Sequence, residues 1–285
     1  MEMENLRLGI PSKGRLSELS EQLLNEAGIK FRRTNRSLFA KVKDMPLEIT
    51  FLRTADIPIL CTEGAINMGI TGSDLIAEAR VDTVTRLSFG EGKCRLSVCV
   101  PEDSPITNPK EMDGCRIATS FPNVTEDYFR SLGCQVHVVK LSGSVEVMIS
   151  LGVADAIVDL VETGSTLAAN RLRILSDIGS YETVLIESKS NPHAELSNRI
   201  VRRLEGVVIA RGYSLIEFNI ERVKLSQAHQ IAPGFNSPTI NPLEDALWCA
   251  VRVMVKRSNV INVMEQLEAI GASAILETQI ANCRL

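Results

Sequence analysis

Up to Glu187, short apolar runs alternate with polar or glycine turns and with stretches of helical period. Leu6 to Ile10 reads as a strand, Pro11-Ser12-Lys13-Gly14-Arg15 as a turn, and Leu16 to Ala27 as an amphipathic helix stopped by Gly28. Leu47 to Leu52 and Asn67 to Thr71 are further strands. After the first of them, Arg53-Thr54-Ala55-Asp56-Ile57-Pro58 opens a short helix to Gly64. After the second, Gly72-Ser73-Asp74 offers a cap to the next helix. Cys94 to Val100, Arg116 to Thr119 and Gln135 to Val139 continue the series. Ser120-Phe121-Pro122-Asn123 leads into a helix through Ser131, and Ser142-Gly143-Ser144 caps one beginning at Val145-Glu146. Leu172 to Ile178 and Thr183 to Glu187 are strands that return the chain to the first lobe, and Ala194 to Ala210 is a long helix. Such alternation predicts mostly parallel sheets with ligands at the carboxyl ends of the strands. The run from Cys94 to Ile178 reads as a second small α/β lobe.

The last part of the chain changes character. Tyr213 to Ile220 is a strand, Arg222 to His229 a helix, Ser237 to Asn241 and Ala246 to Val255 strands, Val260 to Ile270 a helix and Ser273 to Ile280 a strand. The order βαββαβ is the ferredoxin-like pattern. Its acids are dispersed and it holds one histidine, so it reads as a regulatory or assembly module.

Composition narrows the classes. A net charge of -4 and 4% aromatic residues argue against nucleic-acid binding. No apolar run is long enough to span a membrane and no basic leader precedes Leu6, so the expected compartment is the cytoplasm. Seven scattered cysteines without a CxxC pair read as free thiols, and three distant histidines predict no structural zinc.

One stretch organises the chemistry. Ala156 to Val161 is a buried strand with Asp159 set into it, and Thr163-Gly164-Ser165-Thr166 follows at once. Leu167-Ala168-Ala169 reads as a helix start. A strand, a Gly/Ser/Thr turn and a helix N-terminus make an anion cradle, because the first helical amides have no partner inside the helix. The same stretch also fits an ordinary strand–helix connection with a Ser/Thr N-cap. No Lys follows the glycine, so it is not a Walker loop, and the further glycines of a dinucleotide fingerprint are absent. Asp155 and Asp159 stand before the cradle as acceptors for sugar hydroxyls or a metal-bound diphosphate. The opposite lobe offers Lys13, Arg15 and Arg53. Close to them the run from Lys30 to Lys43 carries Lys30, Arg32, Arg33, Arg36, Lys41 and Lys43 with no acid, either a solvated face or support for an anionic ligand. Cations on one wall and a cradle with Asp155, Asp159 and Glu146 on the other suit a polyphosphorylated sugar with Mg2+, which keeps substrate phosphates and waters as ligands. Catalysis would rest on positioning and charge stabilisation.

The chain resembles the ATP phosphoribosyltransferases of histidine biosynthesis in their long form. The resemblance rests on Ser12-Lys13-Gly14-Arg15-Leu16, Asp56-Ile57-Pro58, Gly69-Ile70-Thr71-Gly72-Ser73-Asp74, Arg116-Ile117-Ala118-Thr119-Ser120-Phe121-Pro122, Gly143-Ser144-Val145-Glu146 and Ala154 to Leu167. In the tail it rests on Pro233-Gly234, Ser237-Pro238-Thr239 and Gly271-Ala272-Ser273-Ala274-Ile275-Leu276. It covers nearly the whole chain. It implies an α/β, two-lobed, periplasmic-binding-protein-like catalytic part (lobe I from residues 1–93 and 181–206, lobe II from 94–180) with a ferredoxin-like regulatory domain at 207–285. It also implies transfer of phosphoribosyl from phosphoribosyl pyrophosphate to N1 of ATP with Mg2+, histidine feedback inhibition and a homodimer–homohexamer equilibrium. In that reading Thr163, Gly164, Ser165 and Thr166 take the 5-phosphate and Asp155 and Asp159 the ribose hydroxyls. Lys13, Arg15 and Arg53 neutralise phosphates, and Glu146 orients substrate or the adenine amino group. Asp74, Thr119 and Ser120 are weaker candidates in the cleft, with N-capping or scaffold roles as the alternatives. Histidine would sit near Ser237, Thr239 and Ala274, between neighbouring subunits. Asn219 stands where some relatives carry an acid, and some relatives read Asn-Lys-Gly at Ser12-Lys13-Gly14.

Two rivals remain at this point. A two-lobed solute-binding protein would share the lobes but needs an export signal and no such tail. A purely regulatory amino-acid sensor would not need the cationic loop and the phosphate cradle together.

Overall fold

The computed structural model describes residues 5–34, 37–162 and 164–284. Arg36 of the basic run and Thr163 of the cradle lie outside them. The chain divides into two compact units, Met1–Glu21 with Lys30–Ser197, and Gln22–Ile29 with Asn198–Leu285.

The first unit begins with β1 (Leu6–Pro11), α1 (Arg15–Glu26, its last turn in the second unit), β2 (Phe39–Lys41), β3 (Leu47–Leu52), α2 (Ile57–Thr62), β4 (Met68–Gly72), α3 (Ser73–Ala79) and β5 (Val84–Ser88). A second series follows, comprising β6 (Cys94–Pro101), β7 (Arg116–Thr119), α4 (Pro122–Ser131), β8 (His137–Lys140), α5 (Val147–Ser150), β9 (Ala156–Val161), α6 (Ser165–Ala169) and β10 (Leu172–Tyr181). β11 (Thr183–Glu187) closes it, and α7 (Ala194–Gly212) begins there and belongs from Asn198 onward to the second unit. Two sheets result, β2-β3-β1-β4-β11-β5 and β10-β6-β9-β7-β8. Each is the heart of one lobe.

The sheets are mixed, not mostly parallel as the alternation predicts. β1 runs parallel to β3 and β4, and β7 to β8 and β9, while the remaining pairings are antiparallel. The reversed strands are β6 and β11, the first strand after each of the two passages between the lobes, together with the short edge strand β2. β10 stays in lobe II, paired with β6 from Leu172 to Tyr181, so only β11 returns. β5 has no clear pattern in sequence because it is an edge strand with no buried position.

β1 and β3 are buried along nearly their whole length, as parallel strands covered on both faces must be. Gly69 in β4 lets α2 pack directly on the strand, since a Cβ there would lie 2.4 Å from Cγ2 of Ile57. Lobe II packs Leu96, Val98, Ile117, Phe129 and Val158 on one face of its sheet, and Val145, Ile157 and Leu167 on the other. Val145 belongs to that second cluster, so α5 begins at Val147, two residues later than expected, with no side-chain cap from Ser142 or Ser144.

In the second unit, β12 (Tyr213–Glu221), α8 (Leu225–Ile231), β13 (Thr239–Pro242), β14 (Trp248–Lys256), α9 (Val260–Ala269) and β15 (Ser273–Gln279) form a four-stranded antiparallel sheet in the order β13-β14-β12-β15. This is the ferredoxin-like order. Strict alternation of burial along β12 and β14 places Ile216, Phe218, Val251 and Val253 under the two helices. Arg211 grips Glu26 through two hydrogen bonds of 2.8 and 3.0 Å and holds that carboxyl below its ordinary value.

Candidate active site between the two lobes of the first unit

The loops after the adjacent parallel strands β1 and β3 carry the expected cations. Ser12 N donates to Leu52 O at 2.7 Å, which brings the Lys13 loop beside Arg53. Lys13 and Arg53 are exposed and have no ion-pair partner among the described residues. Arg33 from the basic run lies 4.0 Å over the Phe51 ring and donates to Ser12 O at 3.0 Å. That arginine therefore supports the cationic loop. Arg15, the first residue of α1, reaches into lobe II and forks onto Glu162, which raises the guanidinium's pKa.

A cleft of about 570 Å³ opens here. Arg15, Thr54, Gly72 and Asp74 line it from lobe I, Leu160 and Glu162 from lobe II. Asp74 is 8% exposed and sits in the first turn of α3. Burial raises its pKa, partly offset by hydrogen bonds from its own amide and that of Leu75. It is thus both a cleft wall and a helix-start acceptor. Cys94 also lines the cleft, and burial, with Asp74 and Glu162 adding to it, pushes its thiol up to about 11. Such a thiol stays protonated at neutral pH and is no nucleophile.

In lobe II, β9 delivers Asp159 towards its carboxyl end. Burial, then the negative charge of Glu146, raises its pKa, while the Leu160 amide at 2.9 Å works against them. Glu146 stands at the N-cap of α5. Gly164 has φ +79°, the left-handed region, and a Cβ there would meet nothing within 4 Å, so the turn faces open space. Ser165 and Thr166 are exposed beside it. α6 has only five residues, so the cradle depends on a few turn amides and hydroxyls and gains little from a helix macrodipole.

Two expectations are corrected. Asp155 precedes β9, at the opposite end of the strand from the cradle, roughly 20 Å away at strand rise. Arg116 takes its carboxylate at 2.7 and 3.2 Å, and Arg116 N donates to it at 2.8 Å. These bonds hold its pKa below the ordinary value and engage its carboxylate at that end of the strand. Thr119 is fully buried and its hydroxyl accepts from Phe121 N at 2.9 Å, a scaffold role. Ser120, half-buried, is left at the carboxyl end of β7. Glu162 was missed because its partner lies 147 positions away and no local pattern joins them.

In the second unit, Asn219 pairs with Ser273, the neighbour of Ala274, whose φ is +49°. Ser237 donates to Pro238 O at 3.3 Å, and Thr239 opens β13. β13 and β15 are opposite edges of the sheet, about 14 Å apart at ordinary strand spacing. One copy does not bring Thr239 and Ala274 together.

The sequence profile of the family ATP phosphoribosyltransferase matches residues 53–206, and that of the HisG C-terminal domain matches residues 210–282. The chain is 63% identical over 280 residues to the ATP phosphoribosyltransferase of Rhodopirellula baltica, covering 98% of this chain and 94% of that one. It belongs to the ATP phosphoribosyltransferase family. The enzyme of Yarrowia lipolytica is 40% identical over 288 residues, 99% of this chain and 97% of its own. The ATP phosphoribosyl transferase (HisG:HisZ) complex from Thermotoga maritima superposes with a TM-score of 0.65 at 30% identity, over 72% of this chain and 98% of that one.

The chain is accordingly a phosphoribosyl-transferring enzyme of the first step of histidine biosynthesis, with ATP and phosphoribosyl pyrophosphate as substrates and a metal-ion requirement. Among the described residues no three His, Cys, Asp or Glu side chains converge on a metal site, and no helix is long and apolar enough to cross a membrane.

Proposed function

We propose that the cleft between the two lobes is where phosphoribosyl pyrophosphate and ATP meet. The observation that carries this reading is that Arg15, which ends the Lys13 loop, reaches Glu162, which follows β9, and that both line one cleft. The turn of Thr163, Gly164, Ser165 and Thr166 holds the 5-phosphate through amides and hydroxyls, and Asp159 accepts from the ribose hydroxyls. Lys13, Arg15 and Arg53 neutralise the pyrophosphate or the ATP phosphates. Glu146 orients the substrate, and Asp74 and Ser120 border the site.

The adenine N1 lone pair forms the new bond to C1 of the ribose as the C1–O bond to pyrophosphate breaks, and both electrons of that bond leave with the pyrophosphate. Positive charge builds on the sugar, which the carboxylates of Asp159 and Glu146 offset, and negative charge on the departing group, which the lobe I cations offset. The residues fit Mg2+ in their chemistry, because Asp159 and Glu146 are hard oxygen donors of the kind that ion takes. Mg2+ would supply charge neutralisation of the pyrophosphate, and Asp159 and Glu146 are the side chains that would help to hold it. The chain's residues have only to place the reactants, and no general base is assigned.

We assign residues 1–93 and 181–206 to lobe I, 94–180 to lobe II and 207–285 to a regulatory domain that binds histidine and inhibits. Asn219, Ser237, Thr239 and Ala274 contribute to that site from neighbouring copies in a homodimer–homohexamer equilibrium. The free thiols are those of a protein in the reducing cytoplasm. The test follows product ultraviolet absorbance with ATP, phosphoribosyl pyrophosphate, Mg2+ and pyrophosphatase, with and without histidine. A rise abolished by Arg15→Ala supports the cleft assignment, and a rise untouched by it removes Arg15 from the site.

A further inference from the structure

The lobes are joined covalently by two short passages, Phe89 to Lys93 and Glu182, so their relative angle needs further support. That support lies where α3 of lobe I meets α4 of lobe II. α4 opens on Phe121 and Pro122 with no side-chain cap of its own. Glu78, from the other lobe, supplies one: its two carboxylate oxygens accept from the amides of Asn123 and Val124, each at 3.1 Å. The Asn123 side chain donates back to Glu78 O at 2.8 Å.

Two residues on, Arg80 adopts φ +51° at the end of α3, an uncommon conformation for a non-glycine residue. It forks onto Asp127 at 3.0 and 2.6 Å and donates to Asn123 O at 3.1 Å. Leu75 of the same helix packs against the lobe II core. Charge-assisted, two-pronged bonds of this kind fix direction as well as distance. The cleft itself is bridged by the exposed Arg15–Glu162 pair.

We propose that Glu78 and Arg80 are positioning residues for phosphoribosyl transfer. They clamp α3 onto α4 and so hold the lobes at an angle from which closure over the substrates is short. The inference rests on the cleft as the reaction site. A ligand that needs the closed arrangement binds more weakly in proportion to how rarely that arrangement is populated. Loosening the clamp therefore raises KM for both substrates, while saturating substrates still draw the lobes together and leave kcat nearly intact. A contact that merely aids folding behaves otherwise: its loss lowers the active fraction, hence kcat, at constant KM.

The experiment measures KM and kcat for ATP and phosphoribosyl pyrophosphate in the full-length enzyme carrying Glu78→Ala, Arg80→Ala or Asp127→Asn. The Arg80→Asp, Asp127→Arg double reversal serves as rescue and Arg15→Ala as control. Expected is a rise of about tenfold in both KM values, with kcat within about twofold, and recovery in the reversal. Should Glu78→Ala fail to fold, Asp127→Asn carries the same test. Unchanged KM values with reduced or unchanged kcat overturn the clamp. A harmless Arg15→Ala overturns the cleft assignment instead, so the two failures are distinguishable.

Discussion

Arg15 and Glu162 meet across the lobes, Nη2 to Oε1 at 2.6 Å and Nη1 to Oε2 at 3.1 Å. The carboxylate occupies a cation that, in the proposed reaction, has a phosphate to hold. Both partners are exposed, so the pair itself contributes little to stability. Arg15→Ala is expected to lower kcat/KM for phosphoribosyl pyrophosphate by about a hundredfold, the loss of a buried charge-assisted contact in the closed state. Glu162→Gln removes only the place-holder and is expected to change it by less than about threefold. Steady-state kinetics at two salt concentrations check both, since the wild-type KM should rise with ionic strength.

Asp155 and Asp159 look equivalent in sequence and should separate sharply in activity. Asp155→Asn is expected to leave turnover within about twofold and to lower stability only slightly, as loss of an exposed ion pair does. The depressed pKa of Asp155 gives the sign. Its contribution is present above the ordinary carboxylate pKa and is lost as the pH falls through its lower folded value. Denaturation of wild type and variant should therefore differ at neutral pH and converge in strong acid. Asp159→Asn, in contrast, should abolish most activity.

That contrast shows what sequence alone conveyed. The alternation of apolar runs and polar turns located nearly every strand of both lobes and the βαββαβ tail, because buried strands leave a continuous apolar trace. It could not show that Asp155 precedes its strand on the side of Arg116, since two carboxylates four positions apart share a face of a strand only if both are in it. Edge strand β5 lacks a buried position, and pairs such as Arg15–Glu162 and Arg80–Asp127 join distant segments with no local trace.

Thr119 offers a second separation of scaffold from site. Thr119→Val keeps the shape but deprives the Phe121 amide of its buried acceptor, which costs roughly 1–3 kcal/mol. The expected result is a lower Tm with both KM values unchanged. A selective rise in one KM would return Thr119 to the site.

Asp159 should exchange stability for function. Its pKa is raised by burial and by Glu146, so folding favours its protonated form. Its stabilising contribution is complete below the ordinary carboxylate pKa and is lost as the pH rises through the higher folded value. At neutral pH Asp159→Asn removes the cost of a half-buried charge, and Tm should rise by roughly 2–4 °C, equivalent to about 1 kcal/mol for a chain of this size. In acid the advantage should vanish. Thermal melts across the acidic range decide it, and an equal Tm at neutral pH would mean that substrate-free Asp159 is not held against its ionisation.

The separation of Thr239 from Ala274 at opposite sheet edges makes the regulatory site testable by mixing. If histidine is held between copies, Ser237 and Thr239 come from one chain and Ala274 from another. A Ser237→Ala, Thr239→Ala enzyme and an Ala274→Glu enzyme should each resist histidine. The second also carries a bulkier side chain at a left-handed position, φ +49°, so its fold must first be checked by circular dichroism. Dissociated and reassembled together, the two should form mixed interfaces in which one composite site is wholly wild-type. Part of the histidine sensitivity should then return, in proportion to the mixed fraction. A site built within one chain has no such route, because every copy carries one defect or the other. No recovery, with mixed oligomers shown to have formed, would overturn a histidine site shared between copies.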